Sequence, residues 1–447
     1  MTASVTPGCA VEQRPWKLAL VWLPVLGALF FSTYGAANWL ASQRAQVGAI
    51  VFDWERLVPF WGWTIVPYWS IDLLYGLSLL VCATRNELMT HVKRLLSAQV
   101  IAIACFVAFP LRFTFERPPT EGTTGWMFDV LMGFDKPFNQ APSLHIILLV
   151  VLWVRYAAHL GSGTRWLLHA WFFLIGVSVL TTYQHHFIDI PAGLWVGWLC
   201  IWLFPDDAPS IPSRLSFTAD RARRRIALHY ALFALAVAAL ALALGGAAVF
   251  LLWISGSLAL VALIYLALDE TAFQKQPDGS MSMASWWLFA PYFLAAWINS
   301  RAWTRADNRV DAVHPGVLLG RIPTDGDLAE AGVRAVVDLT AELPLKTNSR
   351  VYRNVPVLDL TLPSETHLAA AVGAIEAVMP TGPTLVCCAL GYSRSALACA
   401  AWLLVSGRAS SVEDAIGRLR KARPSIVLDA RHAALLQRLA DTQRGMR

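Results

Sequence analysis

Charge is scarce in this sequence: 15% of its 447 residues are Asp, Glu, Lys or Arg, while 56% are hydrophobic. Soluble domains carry about 25% charge, so an ordinary soluble pair of domains is excluded and a lipid bilayer becomes the expected environment. Paired cysteine spacing is missing too. The seven cysteines follow no secreted disulfide pattern, and Cys82, Cys105 and Cys200 fall in or beside apolar runs, so they read as core. No cluster of His, Cys, Asp and Glu has metal-ligand spacing, and neither a metal nor another cofactor is expected. There is no internal repeat, and no low-complexity tract beyond one Ala/Leu-rich run. The first apolar run is longer than the core of a signal peptide and lacks a small-residue cleavage site, so retention is expected.

What is present in quantity is apolar sequence of membrane-spanning length. Eight runs, over 18–41, 64–83, 95–113, 143–160, 166–183, 187–205, 228–252 and 254–269, approach the roughly 20 residues a spanning helix needs. The net charge of +6 and pI near 9.0 raise the question of nucleic acid, but the basic residues collect at the borders of these runs. Arg14 and Lys17, then Arg85, Lys93 and Arg94, then Arg155 and Arg165, then Arg221, Arg223, Arg224 and Arg225 all fall on one side if spans alternate. That is the pattern of a cytoplasmic face, so the expected partner is the membrane and no nucleic acid. The segments 42–63 and 114–142 and the turn TYQHHFID then face outward. Segment 284–300, with Pro291 inside and Arg301, Arg305 and Arg309 after it, reads as an interfacial or re-entrant helix.

Two outward junctions carry chemistry that membrane helices have little reason to hold. His145 opens the fourth run in PSLHII, and His185 and Asp189 open the sixth in QHHFIDIPAG. The last two are one helical turn apart, a spacing that lets a carboxylate orient an imidazole. Arg112 and Arg117, around the end of the third run, offer guanidinium groups that could clamp a phosphate. His186 reads as structural. Asp72 is costly in mid-membrane and is expected to be paired or to face water.

These residues resemble the type 2 phosphatidic acid phosphatase superfamily, in its branch with sphingomyelin and inositol phosphorylceramide synthases. The likeness covers about 64–205 and implies a six-helix core with its site on the non-cytoplasmic side. It implies that His185 forms a phosphohistidine, that Asp189 orients it, that His145 protonates the leaving group and that Arg117 in ERP binds phosphate. Val179 stands where soluble members of the superfamily have arginine, and Leu144 where they have glycine, as the synthase-like branch tolerates. Hydrolysis and head-group transfer both stay open.

From about 309 the pattern changes to short apolar strands alternating with helices, which suggests parallel strands with crossover helices in a small α/β unit. The strand PTLVC runs into GYSRSALACAAWLL, which places a loop at a helix N-terminus, where free N–H groups and the helix dipole favour a phosphate dianion and a thiolate. Cys388 and Arg394 bracket five residues of that loop, Gly391 lies at its centre and Ser395 follows. The spacing wraps the chain once around a phosphoryl group, with Cys388 as in-line nucleophile, Arg394 as bidentate clamp and Ser395 as donor to the departing thiolate. Asp359, after VPVLDL, is the candidate general acid.

This C-x5-R-S stretch resembles dual-specificity cysteine phosphatases over 309–440, although Cys387 stands where that family usually has histidine. Cys387 reads as a buried strand-end residue. Lys346, Arg350 and Arg353 are the nearby basic residues that could aid the loop.

The expected architecture is therefore a multi-span helical membrane domain over 1–205, two additional transmembrane helices over 206–270, an interfacial helix and linker over 271–308, and a soluble α/β dual-specificity phosphatase domain over 309–447. The whole looks like a bacterial fusion in the cell membrane, with a periplasmic histidine site and a cytoplasmic cysteine site that act on phospholipid phosphates. The alternative is a membrane-anchored protein phosphatase whose spans serve as anchor, sensor or lipid-binding module.

Overall fold

The computed structural model describes residues 13–445, and Cys9 lies outside them. Packing divides the chain into two units, Met1–Arg214 and Leu215–Arg447.

The first unit is helical: α1 (Trp16–Ser42), α2 (Ile65–Val81), α3 (Arg85–Ala108), α4 (Gly122–Phe134), α5 (Leu144–His159), α6 (Ser162–Thr181) and α7 (Asp189–Leu203). Helix α5 is the axis of the bundle, in contact with α2, α3, α6 and α7, and its consecutive residues Ile146, Ile147 and Leu148 are all buried. Two glycines set how closely α7 approaches it. A Cβ at Gly193 would stand 2.7 Å from the Ile146 Cβ, and one at Gly197 2.7 Å from the Val150 Cβ. This small-x-x-x-small stripe lets two backbones nearly touch, and it brings the N-termini of α5 and α7 together.

The two helices are shorter than the runs at 143–160 and 187–205 suggested. Among the described residues, six helices are long and apolar enough to cross a membrane: α1, α2 with the turn before it, α3, α6 and the two described next. Helix α5 has 16 residues and α7 has 15, so α5 is about 24 Å long at 1.5 Å per residue. Ser143 caps α5, and Phe187 and Ile188 form the apolar turn before α7. The loop 114–142 contains α4, a helix not foreseen, whose Phe128 is buried while Trp126 and Val130 are exposed. Helix α3 begins ten residues before the expected 95.

Two of the basic residues of the border groups are enclosed by the bundle. Arg94 and Arg155 are buried inside helices. Arg155 pairs with Glu87 and with Asp206 at 2.9 Å, and Arg94 pairs with Asp206 at 3.0 Å. Burial of a guanidinium is tolerable only with such partners. Asp72 is exposed on α2.

The second unit begins with a helical hairpin, α8 (Arg221–Leu244) and α9 (Leu251–Ala267), turned by Gly245 and Gly246 at φ 61° and 51°, values that glycine alone adopts at little cost. Helix α10 (Met283–Trp303) packs on α9 and is unbroken through Pro291. Five strands follow: β1 (Val310–His314), β2 (Val317–Arg321), β3 (Ala335–Thr340), β4 (Val351–Val357) and β5 (Thr384–Cys388), with helices α11 (Asp325–Glu330), α12 (Glu365–Val378), α13 (Arg394–Val405), α14 (Val412–Ala422) and α15 (Ala430–Gly445).

The sheet order is β1-β2-β5-β3-β4. It is mixed, because β1 pairs antiparallel with β2 while the other pairs are parallel. The all-parallel expectation fails at this edge, where too few residues separate β1 from β2 for the crossover a parallel pair requires. One face packs on α12, α13, α14 and α15 through Val386, Leu397 and Trp402. The other is covered by α11 and by Ala296 of α10, over Leu385 and Cys387.

The stretch expected as a linker is docked. Lys275 Nζ is buried and donates to Asp338 Oδ2 at 2.5 Å and Thr340 O at 3.1 Å. The Leu345 N–H donates to Gly279 O at 2.9 Å, and Glu270 pairs with His367 at 3.1 Å.

Candidate active sites

In the first unit the α5–α7 approach assembles the histidine site. Ser143 caps α5 by accepting from the Ile146 N–H, and the same hydroxyl lies 3.1 Å from His185 Nε2. His185 Nδ1 faces Asp189 Oδ2 at 3.0 Å, while Nε2 faces the Ser143 hydroxyl. Both side chains are buried. The ring of His145 lies 6.5 Å from that of His185, with His145 Nε2 donating to Tyr68 O at 3.1 Å and its ring stacked on Tyr68 at 3.9 Å.

Arg117 stands over the Phe128 ring at 4.6 Å and donates to Thr182 O at 3.2 Å, just ahead of His185. Four of the residues singled out in the sequence therefore gather: His145, His185, Asp189 and Arg117. Arg112 does not join them. Its side chain is exposed, and its backbone N–H donates to Gly48 O at 2.9 Å.

Sequence reasoning missed Glu55 and Ser143. Glu55 is buried in the loop before α2, accepts from His186 Nδ1 at 3.0 Å and from the Phe187 N–H at 2.9 Å, and so fixes the turn that presents His185. The Thr114 N–H donates to the other ring nitrogen of His186 at 3.2 Å, leaving that imidazole fully engaged in structure. Ser143 was legible as a helix cap in PSLH. Glu55 was not, because nothing local marks a contact across 131 residues.

In the second unit the cysteine site lies at the carboxyl end of the central strand, where ligands of parallel sheets collect. Strand alternation sends Cys388 to the face with α13 and Cys387 to the opposite face. Burial, with Asp338 nearby, pushes the Cys387 thiol well up, which keeps it protonated and apart from its neighbour. Two donors converge on Cys388 Sγ: the Ser395 hydroxyl at 3.1 Å and the Gly391 N–H at 3.3 Å. Gly391 has φ 77°, and a Cβ there would stand 2.5 Å from the Gly320 carbonyl carbon. Only glycine permits this loop to close on β2.

Arg394 opens α13 and is buried among carboxylates. Its Nη2 lies 2.7 Å from Glu342 Oε1 and 2.9 Å from Asp359 Oδ1, and its Nη1 donates to Glu342 Oε2 at 3.0 Å and Val357 O at 2.8 Å. Burial pulls Glu342 upward, but the Arg394 charge and hydrogen bonds outweigh it and hold the carboxyl below its ordinary range. Asp359 is shifted the other way. Burial raises it and outweighs the lowering by Arg394, with Glu342 adding to the rise. A carboxyl biased toward its protonated form beside Arg394 suits a general acid.

Tyr265 of α9 donates to the Asp359 carbonyl at 2.9 Å, and its ring packs against Tyr230 of α8, which meets Tyr292 of α10. The three-helix segment thus holds the loop that carries Asp359. Arg423 is a second positioning residue missed in sequence. It is buried, pairs with Asp311 at 2.7 Å, donates to Leu390 O at 3.3 Å and lies 5.7 Å from the Tyr392 ring, bracing the loop from behind. Glu342 had a signal, since it follows β3 at the same sheet end as Cys388. Arg350 is turned to Asp325 at 2.7 Å, and Lys346 is exposed.

Residues 322–441 match the family model described as dual specificity phosphatase, catalytic domain. No curated protein matches the chain. Among solved structures, a mouse putative dual specificity phosphatase complexed with zinc tungstate is 28% identical over 31% of this chain and 90% of that one, with a TM-score of 0.29. Human DUSP28 is also 28% identical, over 31% and 99%, with a TM-score of 0.28. PTPMT1 in complex with PI(5)P is 20% identical over 31% and 99%, with a TM-score of 0.29. The C-terminal region carries a dual-specificity phosphatase domain, and Cys388, the loop after it and Arg394 lie inside the matched residues.

Proposed function

We propose that this chain is an integral membrane phosphatase with two phosphoenzyme sites, and that its cysteine site hydrolyses a phosphate monoester borne by a phospholipid. The convergence of Ser395 and Gly391 on Cys388 Sγ, with Arg394 and Asp359 alongside, carries the chemistry. The sulfur attacks phosphorus, the bond to the leaving oxygen breaks, and Asp359 supplies the proton that oxygen needs. Arg394 exchanges its carboxylate partners for phosphoryl oxygens, and Ser395 stabilises the thiolate when water releases the phosphate.

The contact of Tyr265 with Asp359 supports a membrane-borne substrate. It ties the catalytic loop to the end of the α8–α9 hairpin that carries Arg221, Arg223, Arg224 and Arg225, the end that loop charge assigns to the cytoplasm. Leu360 and Leu362, just past Asp359, are exposed apolar side chains on the same loop and suit contact with acyl chains. A substrate confined to the same bilayer gains effective concentration. A phosphatidylglycerophosphate-like or phosphatidylinositol-phosphate-like lipid fits these features. The chain is then a multi-pass protein of the bacterial cell membrane with this domain in the cytoplasm, which a C-terminal reporter fusion tests.

The histidine site supports the second activity, lipid phosphoryl chemistry on the periplasmic face. His185 Nε2 attacks phosphorus, Asp189 holds the ring, Arg117 binds phosphoryl oxygens and His145 serves the leaving group. The decisive measurement is activity of Cys388→Ser and His185→Ala proteins on phosphatidylglycerophosphate, phosphatidic acid and a phosphotyrosine peptide. Loss of the first activity with Cys388→Ser and of the second with His185→Ala is expected. Retention of all lipid activity in both variants, with loss on the peptide alone, would replace this reading by that of an anchored protein phosphatase.

A further inference from the structure

Ser282, Thr324, Ser364 and Ser411 stand at the N-caps of α10, α11, α12 and α14, and each hydroxyl accepts from the N–H three residues on. Ser393 holds the same position on α13, yet its hydroxyl makes no such bond. Its backbone departs from theirs as well: ψ is −73°, where the four caps lie between 151° and 170°.

The Ser393 hydroxyl turns instead to α15, where it lies 3.2 Å from His432 Nε2. Nδ1 of that ring lies 2.6 Å from Asp429 Oδ1 and 3.2 Å from the Asp429 N–H. The closer contact, to a carboxylate, places the ring proton on Nδ1, so Nε2 accepts from Ser393. Asp429 is itself fixed as the cap of α15, accepting from the N–H groups of Arg431 and His432 at 2.9 and 3.2 Å. His432 is buried. The Val427 N–H donates to Tyr392 O at 2.8 Å, so the chain entering α15 grips two consecutive residues of the phosphate loop.

The first N–H groups of a helix have no partner inside it, and they are what such a loop offers a dianion. A serine at the N-cap competes for the same groups, because its oxygen accepts from the second or third N–H of the helix. In α13 those belong to Ser395 and Ala396. At an ordinary helix this capture stabilises the fold. Here it would close the site to phosphate.

We infer that His432 is a positioning residue of the cysteine site: it holds the Ser393 hydroxyl and backbone out of the capping arrangement and so keeps the Ser395 and Ala396 N–H groups open to phosphoryl oxygens. It acts through Ser393 and touches no substrate. The inference rests on the phosphatase reading of the Cys388 loop. Without the imidazole, Ser393 relaxes into the conformation of its four counterparts, and phosphate must displace its hydroxyl to bind.

The test uses the full-length protein in lipid nanodiscs, with an aryl phosphate as substrate and inorganic phosphate as competitive inhibitor. His432→Phe keeps a flat ring but removes both nitrogens. It should raise KM and the phosphate inhibition constant together by about fivefold, the population shift of a typical cap, while kcat changes by less than about twofold. Without phosphate, amide exchange in the peptide that carries Ser395 and Ala396 should slow in this variant, because the cap protects them. In a Ser393→Ala background, where no hydroxyl can cap, His432→Phe should move neither constant by more than about twofold. Equal losses in both backgrounds, as a merely structural role predicts, overturn the inference, and so does the absence of loss in the Ser393 background. Should His432→Phe fail to fold, Asp429→Asn takes its place. It retains a cap for α15 and weakens the hold on the ring, and its loss of phosphate affinity should likewise vanish with Ser393→Ala. A wild-type protein without turnover overturns the phosphatase reading of the loop and this inference with it.

Discussion

The proposed histidine site and the cysteine site gather groups suited to related chemistry, yet they are built in opposite ways. The cysteine site takes its nucleophile, clamp and thiolate donor from Cys388, Arg394 and Ser395, within one strand–loop–helix, and the loop's own backbone gives it shape. The histidine site draws Glu55, Tyr68, Arg117, Ser143, His145, His185 and Asp189 from separate segments held by helix packing. A local site should tolerate damage elsewhere in the fold. A distributed one should fail when helices shift by a fraction of an ångström.

The strongest way to sharpen the contrast is Cys388→Ser. It should lower cysteine-site turnover by roughly 10³- to 10⁶-fold and leave His185 labelling intact. Next is Asp359→Asn, expected to cost about 10² to 10⁴ on alkyl phosphates, whose leaving oxygen needs a proton, and far less on an aryl phosphate with a good leaving group. The sign with pH follows from its raised carboxyl. Wild-type kcat/KM on alkyl phosphates should fall as pH rises through that raised value, because the acid form is lost, and the Asn variant should lack this limb.

Gly193→Ala should break the comparison from the other side. The added Cβ, 2.7 Å from Ile146, forces α5 and α7 apart at an overpacking cost of about 1–3 kcal/mol. Histidine-site labelling should drop about tenfold or more while Cys388 turnover is unchanged.

A smaller effect is expected of Tyr265→Phe, which deletes one hydrogen bond worth about 1 kcal/mol. Alkyl phosphate turnover should fall about fivefold with aryl phosphate turnover preserved, showing that the hairpin acts through Asp359. The smallest concerns the partly exposed Glu270–His367 pair. The hydrogen bond and charge of Glu270 raise His367, so its contribution to stability is complete below about pH 6.5 and is lost as pH rises through the raised value. Thermal unfolding of His367→Gln should lack that small pH dependence.

These differences also explain what could be read in advance. Cys388, Arg394, Ser395 and Gly391 were legible because catalytic spacing and the required φ at Gly391 are properties of consecutive residues. Asp359 and the pair His185–Asp189 were legible for the same reason, one turn or one strand end at a time. Glu342 could be placed at the sheet end but not against Arg394, 52 residues away in sequence, and Tyr265, 94 from Asp359, has no local signature. The runs at α5 and α7 extend one or two residues past the helices at each end, since hydropathy does not distinguish a helix from the apolar turn that leads into it. The antiparallel β1 was missed because strand pattern carries no direction.

Sequence alone determined the greasy helical half, the α/β half and the phosphate loop, because hydrophobic period, chain length and strand–loop–helix spacing act over neighbouring residues. Tertiary structure alone decided which carboxylates meet which cations, that Arg112 stays outside while Arg117 comes in, and that the α8–α10 segment braces Asp359. Each of those outcomes depends on side chains far apart in the chain meeting within about 3 Å, and only the packing of whole helices and strands fixes such distances.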